Sequence, residues 1–171
     1  MIKVLIAGEG GQGIQAIAEI LAKAAFLEGK KSLYIPNFGV EQRGGVSLAF
    51  VVINERPVVY PKFAKANILA ILSDRSWERV KDYVNQETKI ILGPAVKKED
   101  LPKVAYLFHL RGGNLPPKVW NVVVLGKINK AGKIVSLKNL IQALEARFAK
   151  QFKKNPELRK LDMEALKHEE L

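Results

Sequence analysis

The chain of 171 residues has no cysteine and only two histidines. Without a thiol there is no disulfide, no thiolate zinc site, no cysteine-ligated iron–sulfur cluster and no cysteine nucleophile. His109 and His168 lie far apart in sequence, the second in a charged tail, so a histidine-rich metal site is not expected. Any electron transfer then needs a bound cofactor or another subunit. Long apolar runs are missing as well, none approaching the roughly 20 residues of a membrane helix. The opening MIKVLIAG leads straight into a strand-like segment, without the basic, apolar and small-residue blocks of a secretory signal. A cytoplasmic, soluble protein without membrane contact is the expectation. There is no G-x-S-x-G elbow, no Walker lysine, no H-E-x-x-H and no local Ser/His/Asp signature. No catalytic residue is therefore assigned, and Asp74, Asp82 and Asp100 read as helix caps or surface charge.

Acid is scarce too: 28 Lys and Arg face 17 Asp and Glu, a net charge of +11. Much of the excess lies in one stretch, where Lys97, Lys98, Lys103, Arg111, Lys118, Lys127, Lys130 and Lys133 meet only Glu99 and Asp100. Such a surface attracts an anionic cofactor or an acidic partner, or is simply a solvated lysine-rich face. No aromatic RNP-type motif, zinc finger or recognition helix accompanies it, so nucleic acid is not expected.

What is present suits one domain: 48% hydrophobic residues can fill one core at this length. The run at 2–7 (IKVLIA) ends at glycine and reads as a buried parallel strand. Ile14, Ile17, Leu21 and Ala25 then recur at helical spacing up to Gly29, and 32–35 reads as a second strand, the start of a βαβ unit. Further strands are expected at 46–53, 58–60, 68–72, 88–92 and 104–108. The 46–53 and 58–60 segments, joined by a short turn, should be antiparallel. A helix capped by Ser73 or Asp74 should run to about Val84 with Trp77, Val80 and Val84 inward. Pro117 suits the first turn of a helix through KVWNVVVLGKI, although VVVL alone has strand propensity. Ser136 is a good N-cap for LKNLIQALEARFAKQF. The expected architecture is a single-domain three-layer α/β/α fold with a mixed, mostly parallel sheet over 1–152. Residues 153–171 are expected to form a charged, exposed helical arm.

Gly8-Glu9-Gly10-Gly11-Gln12-Gly13 satisfies G-x-G-x-x-G between a strand and a helix. Bare backbone turns tightly there, and free N–H groups at the helix start attract phosphate. A nicotinamide site also needs an acid about 20 residues on, at the end of the second strand, for the ribose. That strand ends in Ile35-Pro36-Asn37 and Glu28 lies too early, which counts against NAD. The same glycines also suit close helix–sheet packing without a ligand, while Gln12 could donate to a phosphate or bridge to a neighbouring loop. A second cluster, Phe38-Gly39-Val40-Glu41-Gln42-Arg43-Gly44-Gly45, should lie at the same sheet edge. Arg43 there either binds a phosphate or carboxylate in bidentate fashion or pins its own loop with Glu41.

GEGGQGIQ at 8–15, PNFGVEQRGG at 36–45 and NVVVLG at 121–126 together resemble the gamma subunit of the 2-oxoacid:ferredoxin oxidoreductases. That family's wording is close to G-x-G-G-Q-G, S-Y-G-P-E-x-R-G-G and N-M-V-x-L-G. Asn37-Phe38 and Val40 depart from it, and the likeness covers roughly residues 2–150. The resemblance implies a complex that oxidatively decarboxylates a 2-oxoacid to an acyl-CoA while reducing ferredoxin. It implies alpha, beta and delta-type partner subunits carrying thiamine diphosphate, Mg²⁺ and iron–sulfur clusters, and a gamma part that helps enclose coenzyme A. Carried onto this chain, the binding or docking edge comprises Gly10, Gly11, Gln12, Gly13, Arg43, Gly44, Gly45 and Asn121. Two alternatives stay open: the beta subunit of indolepyruvate:ferredoxin oxidoreductase, and an independent nucleotide-binding regulatory module. Which 2-oxoacid is used is not readable here.

Overall fold

The computed structural model describes residues 1–38, 45–60, 62–97 and 107–168, Phe38 by its backbone alone. In chain order these form β1 (Ile2–Glu9), α1 (Ile14–Leu27), β2 (Lys31–Phe38), β3 (Val46–Asn54), β4 (Ile68–Ile71), α2 (Trp77–Val80), β5 (Lys89–Leu92) and β6 (Leu107–His109). Then come α3 (Trp120–Gly132), α4 (Leu137–Lys154) and α5 (Pro156–Lys167). The six strands make one sheet in the order β2-β3-β1-β4-β5-β6. The pairs β1–β4, β4–β5 and β5–β6 are parallel, and β3 runs antiparallel to both β1 and β2.

The sheet is mixed for a different reason from the one the sequence suggests. Residues 58–60 are not a strand; instead β3 inserts between β1 and β2, so the expected βαβ pair is not adjacent. β3 can do this because its residues alternate between two buried faces. Ala49, Val51 and Ile53 join one core and Leu48, Phe50 and Val52 the other. β1 divides in the same way, Val4 and Ile6 against Leu5 and Ala7. The first core lies under α1, α3, α4 and α5; the second is closed by Phe63, Ala66 and Val80. In that second layer Phe50, Phe63 and Tyr83 pack edge to face. The helix expected to run from Ser73 to Val84 is broken into α2 flanked by 3-10 turns at Asp74–Ser76 and Lys81–Tyr83. Ser73 does not cap it through its side chain, because its hydroxyl donates to Glu9 Oε1 (2.6 Å).

The NVVVLG segment is helical: Val122, Val123, Val124 and Leu125 are all buried in α3, and tertiary burial overrides their strand propensity. Ser136 caps α4 as expected, accepting from Asn139 N (3.3 Å). Glu28, too early in sequence for a ribose, ties the end of α1 to the start of α4. Its carboxylate accepts from Ser136 N (2.9 Å) and Asn139 Nδ2 (2.7 Å), and these bonds hold its pKa below the ordinary value. The described part of the C-terminal arm is helical but not an exposed arm. α5 lies on α3, with Asp162, Ala165 and Leu166 buried, because its apolar residues fall on one face. Gly126 makes this approach possible, since a Cβ there would lie 2.3 Å from the Leu166 carbonyl oxygen.

Asp162 carries an unusual carboxylate. Burial pushes its pKa up to about 6, and the attraction of Lys118 only partly opposes this. The folded state therefore holds this proton more tightly than the unfolded chain, where Asp titrates near 3.9. Stability falls as pH rises through that window and stays low above pH 6, by at most about 3 kcal/mol. An amide at this position must itself be desolvated, so Asp162→Asn is expected to gain about 1 kcal/mol at pH 7.5, a Tm rise of a few degrees. The gain should vanish near pH 4; a Tm difference independent of pH would show that ionisation of Asp162 does not limit the fold.

Candidate functional site

β1 delivers the glycine turn to the carboxyl edge of the sheet, where Leu72 follows β4 and Gly93 follows β5. Ligands of open α/β sheets bind at such an edge. The turn is built from its own hydrogen bonds. Gln12 N donates to Glu9 O (3.1 Å), and Gly10 N donates to Gly45 O (3.0 Å). The Gln12 side chain accepts from Glu9 N (2.8 Å) and donates to Leu72 O (3.1 Å), clamping the ends of β1 and β4. Of the roles open to Gln12, the structure shows the bridge to a neighbouring loop. Gly45 does lie beside the turn, as expected; Arg43 and Gly44 fall outside the described residues.

Gly13 initiates α1 in the left-handed region (φ 74°), so the helix starts without a side-chain cap. Its bare Cα faces Asn121, whose Nδ2 would lie 2.2 Å from a Cβ at this position. Asn121 Oδ1 accepts from Val122 N (3.0 Å), which sets the amide across the opening of α3. Gly11, Gln12, Gly13 and Asn121 thus converge, from two motifs far apart in sequence, on one cleft of about 450 Å³.

Three parts of this cleft are absent from the sequence-based site. Lys118 brings a cation, Trp120 an aromatic wall, and Gly93-Pro94-Ala95 the floor beyond β5. The Trp120 indole is held by its Nε1 donating to Leu115 O (2.9 Å) and lies against Gly112, where a Cβ would meet it at 2.3 Å. Lys118 and Trp120 shortly precede Asn121 in sequence, and Gly93-Pro94 follows a parallel strand; those two signals could have found them. Among the described residues no cluster of His, Asp and Glu could hold a metal ion. No helix among them is long and apolar enough to cross a membrane.

The arrangement is an α/β domain with a cleft at the carboxyl edge of its sheet. Residues 3–167 match the family described as pyruvate ferredoxin/flavodoxin oxidoreductase, and the chain belongs to that family. It is similar to the 2-oxoglutarate synthase subunit KorC of Methanocaldococcus jannaschii, 29% identical over 83% of this chain and 81% of that one. It is likewise similar to the pyruvate synthase subunit PorC of Methanothermobacter marburgensis, 31% identical over 98% of this chain and 99% of that protein. The fold is that of the keto/oxoacid ferredoxin oxidoreductase gamma subunit from Geobacter sulfurreducens, with TM-score 0.79, 21% identity, and 97% and 94% of the two chains covered. A chain of the 2-oxoglutarate:ferredoxin oxidoreductase from Magnetococcus marinus contains the same fold. It matches with TM-score 0.83 at 21% identity, over 96% of this chain and 29% of that longer one. This chain is also 30% identical, over 87% of its own length and 88% of that one, to the pyruvate/ketoisovalerate oxidoreductases common subunit gamma of Pyrococcus abyssi. The chain is of the gamma-subunit type of the 2-oxoacid:ferredoxin oxidoreductases.

Proposed function

We propose that this chain works inside a complex that oxidatively decarboxylates a 2-oxoacid to an acyl-CoA and passes the electrons to ferredoxin, itself supplying no reacting group. Thiamine diphosphate, Mg²⁺ and the iron–sulfur clusters belong to alpha, beta and delta-type partners. Iron–sulfur clusters of the ordinary kind need thiolates, and this chain has none. A net charge of +11 suits docking against acidic partner surfaces.

The observation that carries the reading is the cleft between the glycine turn and the start of α3. It combines a cation, the uncapped N-terminus of a helix of 14 residues and an aromatic wall. That donor set fits the phosphate-bearing end of coenzyme A, and the related Magnetococcus marinus enzyme holds coenzyme A. Lys118 pairs with a phosphate, Gly11 and Gly13 leave room at the backbone, Gln12 keeps the turn rigid, and Trp120 gives a flat apolar contact. Gly10 and Gly45 brace the turn. Bound coenzyme A supplies the thiol that receives the acyl group; this chain orients it and keeps its entrance ordered.

Lys118→Glu in the assembled complex tests this. The KM for coenzyme A should rise about tenfold, with kcat at saturation and the 2-oxoacid KM unchanged, as expected for loss of a charge-assisted contact. An unchanged KM together with a dissociated complex would reassign the cleft to subunit docking.

A further inference from the structure

A second cavity lies away from the glycine turn, between α3, the first turn of α4 and the end of α5. It has about 450 Å³, within the range of small-molecule sites. Its walls are apolar, with Leu110, Val123, Leu137, Leu140 and Leu166 among them. Its charge has one sign: Lys127, Lys130 and Lys167 reach it, and no carboxylate lines it among the described residues.

Lys127 is the informative group. Its Nζ sits 4.4 Å from the centre of the Phe108 ring. Burial and, less strongly, the neighbouring Lys130 hold its pKa below the ordinary lysine value. A cation–π contact compensates only part of the desolvation of an ammonium, and an anion would supply the rest. We infer that this groove is a binding site for an amphipathic anion, a carboxylate or phosphate head on a short apolar tail. The head pairs with Lys127, and the tail lies along Leu137, Leu140 and Leu166. A tail of roughly six to ten carbons matches a pocket of this size. Nothing in this site depends on the glycine-turn cleft, so the two readings stand or fall separately.

Isothermal titration calorimetry of sodium octanoate, octyl phosphate and 1-octanol tests it, on the full chain and on the assembled complex. At least one anion should bind both, at least tenfold more tightly than the alcohol, and the stronger of the two identifies the head group. Lys127→Met, which keeps the stem and removes the charge, should weaken binding about tenfold, and Lys127→Arg should restore most of it. Leu137→Glu, at a half-exposed position, should abolish binding while leaving the Tm within a degree or two. Equal binding of 1-octanol, or no effect of Lys127→Met, would overturn the proposal. So would binding to the isolated chain but not to the complex, because the groove would then be a subunit contact. Binding seen only after Glu169, Glu170 and Leu171 are deleted would also overturn it, assigning the groove to the chain's own carboxylates.

Discussion

Gly126→Ala should lower the stability of this chain by about 3 kcal/mol, against the sign that helix propensity alone would give. Gly126 lies inside α3, where alanine ordinarily gains up to about 1 kcal/mol over glycine. Here the new methyl would lie 2.3 Å from the Leu166 carbonyl oxygen, far inside contact distance. That oxygen is backbone and cannot swing aside. Leu166 is 4% exposed and Ala165 fully buried, so relief requires lifting the end of α5 off the core. Losing the burial of a leucine side chain alone costs about 2 kcal/mol. Thermal unfolding should show a Tm lower by roughly 5–10 °C for a chain of this length. Trypsin should cut within α5, at Arg159 or Lys160, earlier than in the parent. A higher Tm would mean that α5 moves away at no cost and that the close approach does not matter.

Gly13→Ala should cost about 2 kcal/mol and damage the cleft more than the fold. Part of the cost is backbone: the left-handed conformation at φ 74° strains any residue with a Cβ by about 1–2 kcal/mol. The rest is the collision with Asn121 Nδ2, which is a side-chain end and can rotate. Rotation breaks the Asn121–Val122 bond and pushes the amide into the space assigned to coenzyme A. The KM for coenzyme A should therefore rise more than tenfold while the complex stays assembled. A double-mutant cycle with Asn121→Ala separates the two parts. The pair should show a coupling of about 1 kcal/mol, leaving only the backbone strain. Zero coupling would show that Gly13 is required for its dihedral angle alone.

Both close approaches involve the 121–126 motif. Its Asn and Gly are spaced so that one end of α3 touches the glycine turn and the middle touches α5. The resemblance identified both residues, but no property of the six letters reveals what they meet. Gln12 is similar: the sequence left a phosphate or a neighbouring loop open, and the carbonyl of Leu72, 60 residues away, accepts its amide. Lys118 and Trp120 escaped the sequence-based site because one sat in a general basic stretch and the other inside an expected helix, KVWNVVVLGKI.

By itself the sequence determined the local pieces and the chemistry that cannot occur. Periodicity marks α1 and α4, continuous apolar runs mark β1, β3, β4 and β5, and the lack of cysteine excludes thiolate chemistry. Each of those depends on residues close in the chain or on composition. The tertiary structure alone decided that β3 separates β1 from β2 and that the charged tail folds back onto the body. Those outcomes come from burial on both faces of the sheet and from backbone contacts between distant segments. Such energies are sums over partners that sequence order does not display, so the glycine turn becomes a cleft only when α3 closes against it.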